Sequence, residues 1–198
     1  MRALWIDAGN DCDWQRAAAH KMTALYYPVT DPPADVRRRI LDTRAHVLTP
    51  GLYGVWNWFP TLDGASFAEK VHELATACTP VGTPAPKVQL DIETHDPGYI
   101  LDALRRWRAL RPAQDTSWTL ESFQGGWMSP AFVAEVIALK IRVVPQYYGG
   151  GMEPFAQDMA LRNLTRRGFP EKLITGFYDA AALPSWWDGF AFSSGRLA

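Results

Sequence analysis

The stretch Lys87 to Glu93, KVQLDIE, alternates aliphatic and polar side chains one by one. Side chains two residues apart on a β-strand point to the same face of the sheet. The alternation therefore predicts a strand with an aliphatic face toward neighbouring helices and a polar face formed by Gln89, Asp91 and Glu93. Acidic residues at the end of such a strand are typical of a functional site at the carboxyl ends of a parallel sheet.

The rest of the chain alternates short apolar or aromatic runs with longer segments of helical period, which predicts parallel strands joined by crossover helices. The other predicted strands are Ala3 to Gly9, Ala24 to Val29, Leu52 to Trp58, Ser117 to Phe123, Ile141 to Tyr147, Leu173 to Tyr178 and Gly189 to Phe192. The predicted helices are Trp14 to Met22, Ala34 to His46, Asp63 to about Ala77, Asp96 to Leu110, Ala131 to Lys140 and Phe155 to Arg167.

Eight predicted strands in 198 residues favour an α/β fold, a small (β/α)8 TIM-type barrel formed by residues 1–198 as a single domain. The rival architecture is a doubly wound open sheet, which normally has a glycine-rich turn after its first strand. Here the first strand ends in Asp7-Ala8-Gly9-Asn10, which is not such a turn, and Gly149-Gly150-Gly151 lacks the spacing and the lysine of a phosphate loop. The barrel is therefore the preferred interpretation.

The chain has 20 basic and 21 acidic residues, and these alternate instead of forming blocks. This pattern disfavours nucleic acid and anionic membranes as partners. No stretch has the pattern of a signal peptide or the roughly 20 apolar residues of a membrane span, so we expect a soluble protein, cytoplasmic or virion-associated. Two distant cysteines and no metal-ligand spacing of histidines predict neither a disulfide nor a metal, and no cofactor is expected.

Polar residues recur at the carboxyl ends of several predicted strands, where the functional face of a barrel lies. Two carboxylates as close as Asp91 and Glu93 do not both ionise easily in a partly desolvated pocket, so one of them is expected to act as a general acid. Aromatic rings at the same level suit the apolar faces of sugars. The predicted substrate-binding residues are Glu121, Gln146, Asp179, Tyr147, Trp56 and Tyr178, and the predicted catalytic residues are Glu93, Asp91 and Asp7.

The segment VQLDIET, residues 88–94, resembles the fourth-strand signature of barrel glycoside hydrolases. It is similar to the lysozyme type, which opens with an Ile-Asp strand and carries an Asp-x-Glu strand, and to the chitinase type with Asp-x-Asp-x-Glu. In this chain Ile6-Asp7 and Asp91-Ile92-Glu93 match the lysozyme-type motifs. Gln89 departs from the chitinase type, which has an aspartate there.

The resemblance implies that Glu93 is the general acid and that Asp91 positions an N-acetyl group or stabilises an oxocarbenium-like state. It implies supporting roles for Asp7 and Asp179. The expected activity is hydrolysis of an N-acetylated polysaccharide such as peptidoglycan or chitin. Small barrels of this kind are also similar to glycosidase-like domains of phage tails.

Two alternatives to a hydrolase remain open from the sequence. In the first, the same face binds a glycan without cutting it, as a module of a virion or of a cell-surface assembly, and proteins of that assembly are then further partners. In the second, the barrel is purely structural. Fold analogy does not decide among the three, because one barrel hosts many chemistries.

Overall fold

A computed structural model describes residues 2–6, 8–12, 14–19, 21–120, 127–145, 162–174 and 190–193. Its strands are β1 (Arg2–Trp5), β2 (Ala24–Pro28), β3 (Thr49–Val55), β4 (Lys87–Asp91), β5 (Thr116–Leu120), β6 (Arg142–Pro145) and β7 (Phe190–Ser193). Its α-helices are α1 (Trp14–Ala19), α2 (Pro33–Ala45), α3 (Gly64–Cys78), α4 (Pro97–Leu110) and α5 (Pro130–Ala138), with 3₁₀ turns at Trp56–Trp58 and Glu171–Leu173. Residues 162–166 are also helical.

All seven described strands are parallel and form one sheet in the order β6-β5-β4-β3-β2-β1-β7. Consecutive strands from β1 to β6 are neighbours, and β7 returns to pair with β1. Ile174, in the segment predicted as the seventh strand, forms a parallel bridge with Val143 of β6. This strand order is that of a (β/α)8 barrel, and the fold class predicted from the sequence is confirmed. The residues that connect Ile174 to β7 lie outside the described part of the chain.

Three helices begin where polar capping residues predict. Asp63 accepts a hydrogen bond from the Ser66 amide at 2.7 Å, and Asp96 accepts one from the Gly98 amide at 2.9 Å. Ser129 accepts one at 3.2 Å from a backbone amide in the first turn of α5. Each cap satisfies an amide that the first helical turn leaves unpaired, so the start of each crossover is fixed by local sequence.

The larger hydrophobic core lies between the sheet and the helices. The strand residues in it are aliphatic and aromatic, as the alternation in KVQLDIE predicts. On the strands this core contains Leu25, Tyr27, Leu52, Val88, Leu90, Trp118, Leu120 and Val143. On the helices it contains Val36, Ile40, Phe67, Val71, Leu104, Trp107 and Val136.

A second, smaller cluster faces the interior of the barrel and consists of Ala3, Trp5, Ala24, Tyr26, Tyr53 and Val144. The cluster depends on Gly51 of β3. A Cβ atom at position 51 would lie 2.4 Å from the Tyr26 ring, closer than nonbonded carbon atoms approach. Glycine there lets the Tyr26 ring fill the space between the two strands.

Strand β3 differs from its prediction. The sequence predicts a strand from Leu52 to Trp58, whereas β3 ends at Val55 and the next three residues form a 3₁₀ turn. Val55 pairs with Asp91, the last residue of β4, so the backbone has no partner strand beyond that pair. The chain therefore turns toward α3. The aromatic residues of the turn do not follow the alternation of a strand.

The length and apolar character of the described helices decide whether any of them could cross a membrane. Within the described segments, every helix falls short of the length and apolar character that a bilayer crossing requires.

Candidate functional site

Asp91 lies on the inner face of the barrel at the carboxyl end of β4. It pairs in register with Val55 of β3 and Thr119 of β5, and Thr119 pairs with Val144 of β6. Paired residues on neighbouring strands share a face, and Val144 belongs to the interior cluster. Asp91 is 4% exposed. Its carboxyl group is thus held inside the barrel, one layer below the mouth.

Gln89 occupies the layer below Asp91 and is 2% exposed. Its Oε1 accepts a hydrogen bond from Trp5 Nε1 at 3.0 Å, and its Nε2 donates to Thr119 Oγ1 at 2.6 Å. An ionised aspartate at this position can accept from Trp5 but cannot donate to Thr119. Where the chitinase-type pattern has an aspartate, the Gln89 amide thus cross-links three strands inside the barrel.

Glu93 lies two residues beyond the end of β4 and is half-buried. Between it and Asp91, Ile92 is fully buried in the outer core, and its carbonyl accepts a hydrogen bond from Trp118 Nε1 at 3.3 Å. The backbone on the amino-terminal side of Glu93 is therefore fixed. Beyond it, the exposed His95 ring lies 5.9 Å from the Trp127 ring, on the loop that leads to α4.

Three of the predicted site residues are in the described part of the chain: Asp91, Glu93 and Trp56. Asp91 is the last residue of β4, whereas Glu93, which the sequence predicts on the same strand, lies in the loop after it. Trp56 is half-buried and packs against the outer core, with its ring 6.4 Å from the Tyr99 ring. The other predicted site residues, Asp7, Glu121, Gln146, Tyr147, Tyr178 and Asp179, lie outside the described residues.

An aromatic column, formed by Trp5, Tyr53 and Trp58, rises from the barrel interior toward its mouth. The Trp5 and Tyr53 rings stack at 5.5 Å with an interplanar angle of 18°, and the Trp58 ring lies 5.7 Å from Tyr53. Tyr53 also donates a hydrogen bond to the Ile6 carbonyl at 3.1 Å. The sequence predicts Trp56, and not Trp58, as the substrate-binding tryptophan, because it predicts one strand through both residues and does not show which side chain reaches solvent.

A buried ion pair holds the loop that follows β1. Asp31 and Arg39 are each 7% exposed, and Arg39 NH1 donates to Asp31 Oδ2 at 2.6 Å. The same carboxylate oxygen accepts from the Gly9 amide at 3.0 Å, and Arg39 Nε donates to Asp11 at 2.9 Å. Arg38 adds a hydrogen bond to Asp11 at 3.1 Å. We call these five residues the loop clamp. The sequence does not predict it.

The loop clamp alters the ionisation of its members. Burial lowers the pKa of Arg39, but its hydrogen bonds to Asp31 and Asp11 outweigh this effect and raise the pKa overall. Hydrogen bonds from Arg38 and Arg39 lower the pKa of Asp11. Both shifts favour the charged forms that the clamp requires.

The opposite face of the barrel, at the amino ends of the strands, carries ion pairs. Asp115 pairs with Lys87 at 3.0 Å and with Arg142. Burial raises the pKa of Asp115, but the two cations outweigh it and lower the pKa overall. A pocket of about 400 Å³ lies beside them, between the segments at residues 85–87 and 110–115, and it contains none of the predicted site residues.

The described residues contain no group of three or more histidine, cysteine, aspartate or glutamate side chains arranged to hold a metal ion.

Together, the fold and the site define a small (β/α)8 barrel with buried and half-buried acids at the carboxyl end of its fourth strand. Two solved structures are similar to it over nearly the whole chain. A GH18 chitinase from Pseudoalteromonas aurantia matches with a TM-score of 0.62 and 12% identity, covering 98% of this chain and 93% of that one. CutC from Streptococcus agalactiae, assigned to copper homeostasis, matches with a TM-score of 0.62 and 10% identity over 100% of both chains.

At these identities the similarity establishes the barrel fold alone. No protein-family model matches the chain, and no curated protein matches it significantly.

Proposed function

We propose that the protein is a glycoside hydrolase that acts on an N-acetylated cell-wall polysaccharide, peptidoglycan or a chitin-like polymer, by carboxylate acid/base catalysis. One observation supports the proposal: Asp91 is buried at the carboxyl end of β4, and the half-buried Glu93 lies two residues beyond it. In (β/α)8 enzymes this face bears the active site. Buried carboxyl groups are costly to fold and are seldom kept for packing.

In the proposed reaction Glu93 donates a proton to the glycosidic oxygen as the bond to the anomeric carbon breaks. The anomeric carbon develops positive charge, and Asp91 stabilises that charge directly or through the N-acetyl group that it orients. Water then completes the hydrolysis and returns a proton to Glu93. By the resemblance to barrel glycoside hydrolases, Asp7 supports the developing charge. Desolvation of Asp91 inside the barrel makes its charge more effective toward this transition state than in water.

The barrel fold is compatible with this proposal but does not distinguish it from other functions. The chitinase shares the barrel, but so does a protein assigned to copper homeostasis. Two acids at the carboxyl end of β4, Asp91 and Glu93, and the exposed Trp58 support the hydrolase proposal. The proposal includes action on the cell wall as part of a virion or of a cell-surface assembly.

The test compares wild type with the Glu93→Gln variant in release of reducing ends from chitin and from peptidoglycan. Glu73→Gln is the matched control, since Glu73 is an exposed glutamate of α3 that pairs only with Lys70 among the ion pairs described. We expect Glu93→Gln to lower the rate at least about a hundredfold, as loss of a general acid does, and Glu73→Gln to leave it unchanged.

Other outcomes have defined meanings. If wild type and Glu93→Gln bind the polysaccharides equally and neither cuts them, the proposed hydrolase is wrong and the protein is a glycan-binding module. If neither variant binds or cuts, the carbohydrate assignment is wrong altogether.

A further inference from the structure

Four large hydrophobic side chains in the described part of the chain are exposed: Leu41, Val47, Trp58 and Val81. Val47 and Val81 precede β3 and β4, so they lie toward the amino ends of the strands, and Leu41 is on α2. Trp58 follows β3 and is 36% exposed. Among the described residues it is therefore the large exposed hydrophobic group at the face that carries Asp91.

Trp58 is backed by a rigid support. One side of its ring contacts Tyr53 at 5.7 Å, and Tyr53 is held by stacking on Trp5 and by its hydrogen bond to the Ile6 carbonyl. Trp5 is in turn fixed by its hydrogen bond to Gln89. A ring held in this way loses little conformational freedom when a ligand covers its open side, so contact with a ligand is favoured.

Trp56, two residues earlier in the same 3₁₀ turn, is placed differently. It packs against the outer core and makes an edge contact with Tyr99. Its indole Nε1 is buried without a hydrogen-bond partner. The turn therefore presents one tryptophan to the helical layer and the other to solvent near the interior cluster.

We propose that Trp58 is the sugar-binding platform of the site: its open indole face stacks on the apolar C–H face of a pyranose ring adjacent to the ring that is cleaved. This inference rests on the proposed function and names a binding residue within it. The position is suitable because Trp58 lies three residues beyond Val55, which pairs with Asp91. A saccharide combines a flat C–H face for the indole with hydroxyl groups for the neighbouring carboxylates.

The test measures binding of a β-1,4-linked N-acetylglucosamine tetramer by calorimetry in the Glu93→Gln background, which keeps the ligand intact. Trp58→Ala is expected to weaken Kd about ten- to a hundredfold, the effect of losing a buried aromatic contact. Trp58→Phe keeps a smaller ring and is expected to weaken Kd less. Val81→Ala, an exposed change on the opposite face, is the control. Circular dichroism melts verify that each variant is folded.

In the active enzyme, Trp58→Ala is expected to raise KM by a similar factor with kcat changed less than about threefold, because stacking on a neighbouring ring binds ground state and transition state alike. A residue that only supports folding would not separate KM from kcat in this way.

The failures are distinguishable. If wild type binds and cuts but Trp58→Ala retains its Kd and KM, the platform assignment is wrong while the proposed function stands. If Trp56→Phe weakens Kd more than Trp58→Phe does, the sugar lies on the other tryptophan and the assignment is likewise wrong. If Glu93→Gln and wild type both fail to bind the tetramer and peptidoglycan fragments, the proposed function fails and the platform fails with it.

Discussion

The replacement of Arg39 by methionine tests the loop clamp. The change removes the cation from a pair in which both side chains are 7% exposed and leaves the Asp31 carboxylate buried with the Gly9 amide as its remaining described donor. Breaking a buried ion pair from one side costs about 3–5 kcal/mol. Since domains are stable by about 5–15 kcal/mol, we expect a folded variant with Tm lower by roughly 6–20 °C. Urea unfolding monitored by tryptophan fluorescence measures the change in the free energy of unfolding.

Arg38→Met is the matched control, because Arg38 precedes Arg39 on α2 and contacts the same Asp11 but is 53% exposed. An exposed pair contributes about 0–1 kcal/mol, so we expect little change. The double variant Asp31→Leu/Arg39→Met removes both charges and should recover part of the stability that Arg39→Met loses. If Arg38→Met and Arg39→Met lower the free energy of unfolding by the same small amount, the reasoning that burial gives the Arg39–Asp31 pair its strength is wrong.

Two further predictions concern the interior amide of Gln89 and the half-buried His72. Gln89→Leu leaves Trp5 Nε1 and Thr119 Oγ1 without their shared partner. At about 1–3 kcal/mol for each unsatisfied buried group, it should lower the free energy of unfolding measured in urea by roughly 2–6 kcal/mol. A loss below about 0.5 kcal/mol, the size of a surface change, would contradict the hydrogen bonds. Burial and the neighbouring charge of Arg111 lower the pKa of His72, whose Nδ1 accepts from Arg111 Nε at 2.8 Å. The unfolded chain then takes up the proton first, so stability should fall as pH drops below about 6.5, and His72→Gln should reduce that slope when Tm is followed from pH 8 to pH 5.

Local sequence was sufficient for the order of elements and for the starts of the helices, but β1, β3 and β4 end two to four residues before their predicted ends at Gly9, Trp58 and Glu93. The caps at Asp63, Asp96 and Ser129 mark three helix starts because each side chain bonds an amide within its own turn. The alternation in KVQLDIE predicts which side of β4 packs outward, because period two is a property of the strand itself. Parallel pairing then follows from the crossovers.

The parts of the site that the sequence did not reveal depend on contacts between distant residues. Gln89 and Trp5 are 84 residues apart in the sequence, so the residues next to Gln89 do not predict the hydrogen bond between them. The end of β3 at Val55 depends on where β4 ends, which moves Trp58 out of the predicted strand. Arg39 resembles any helical arginine until Asp31 is placed beside it.

A crystal structure of the Glu93→Gln variant with the N-acetylglucosamine tetramer bound tests the central claim most directly. The account predicts that the sugar chain lies across the carboxyl ends of the strands, with one ring on Trp58 and a glycosidic oxygen within about 3 Å, hydrogen-bond distance, of the side chain at position 93. A tetramer bound instead in the pocket beside Asp115, at the amino ends of the strands, would contradict it.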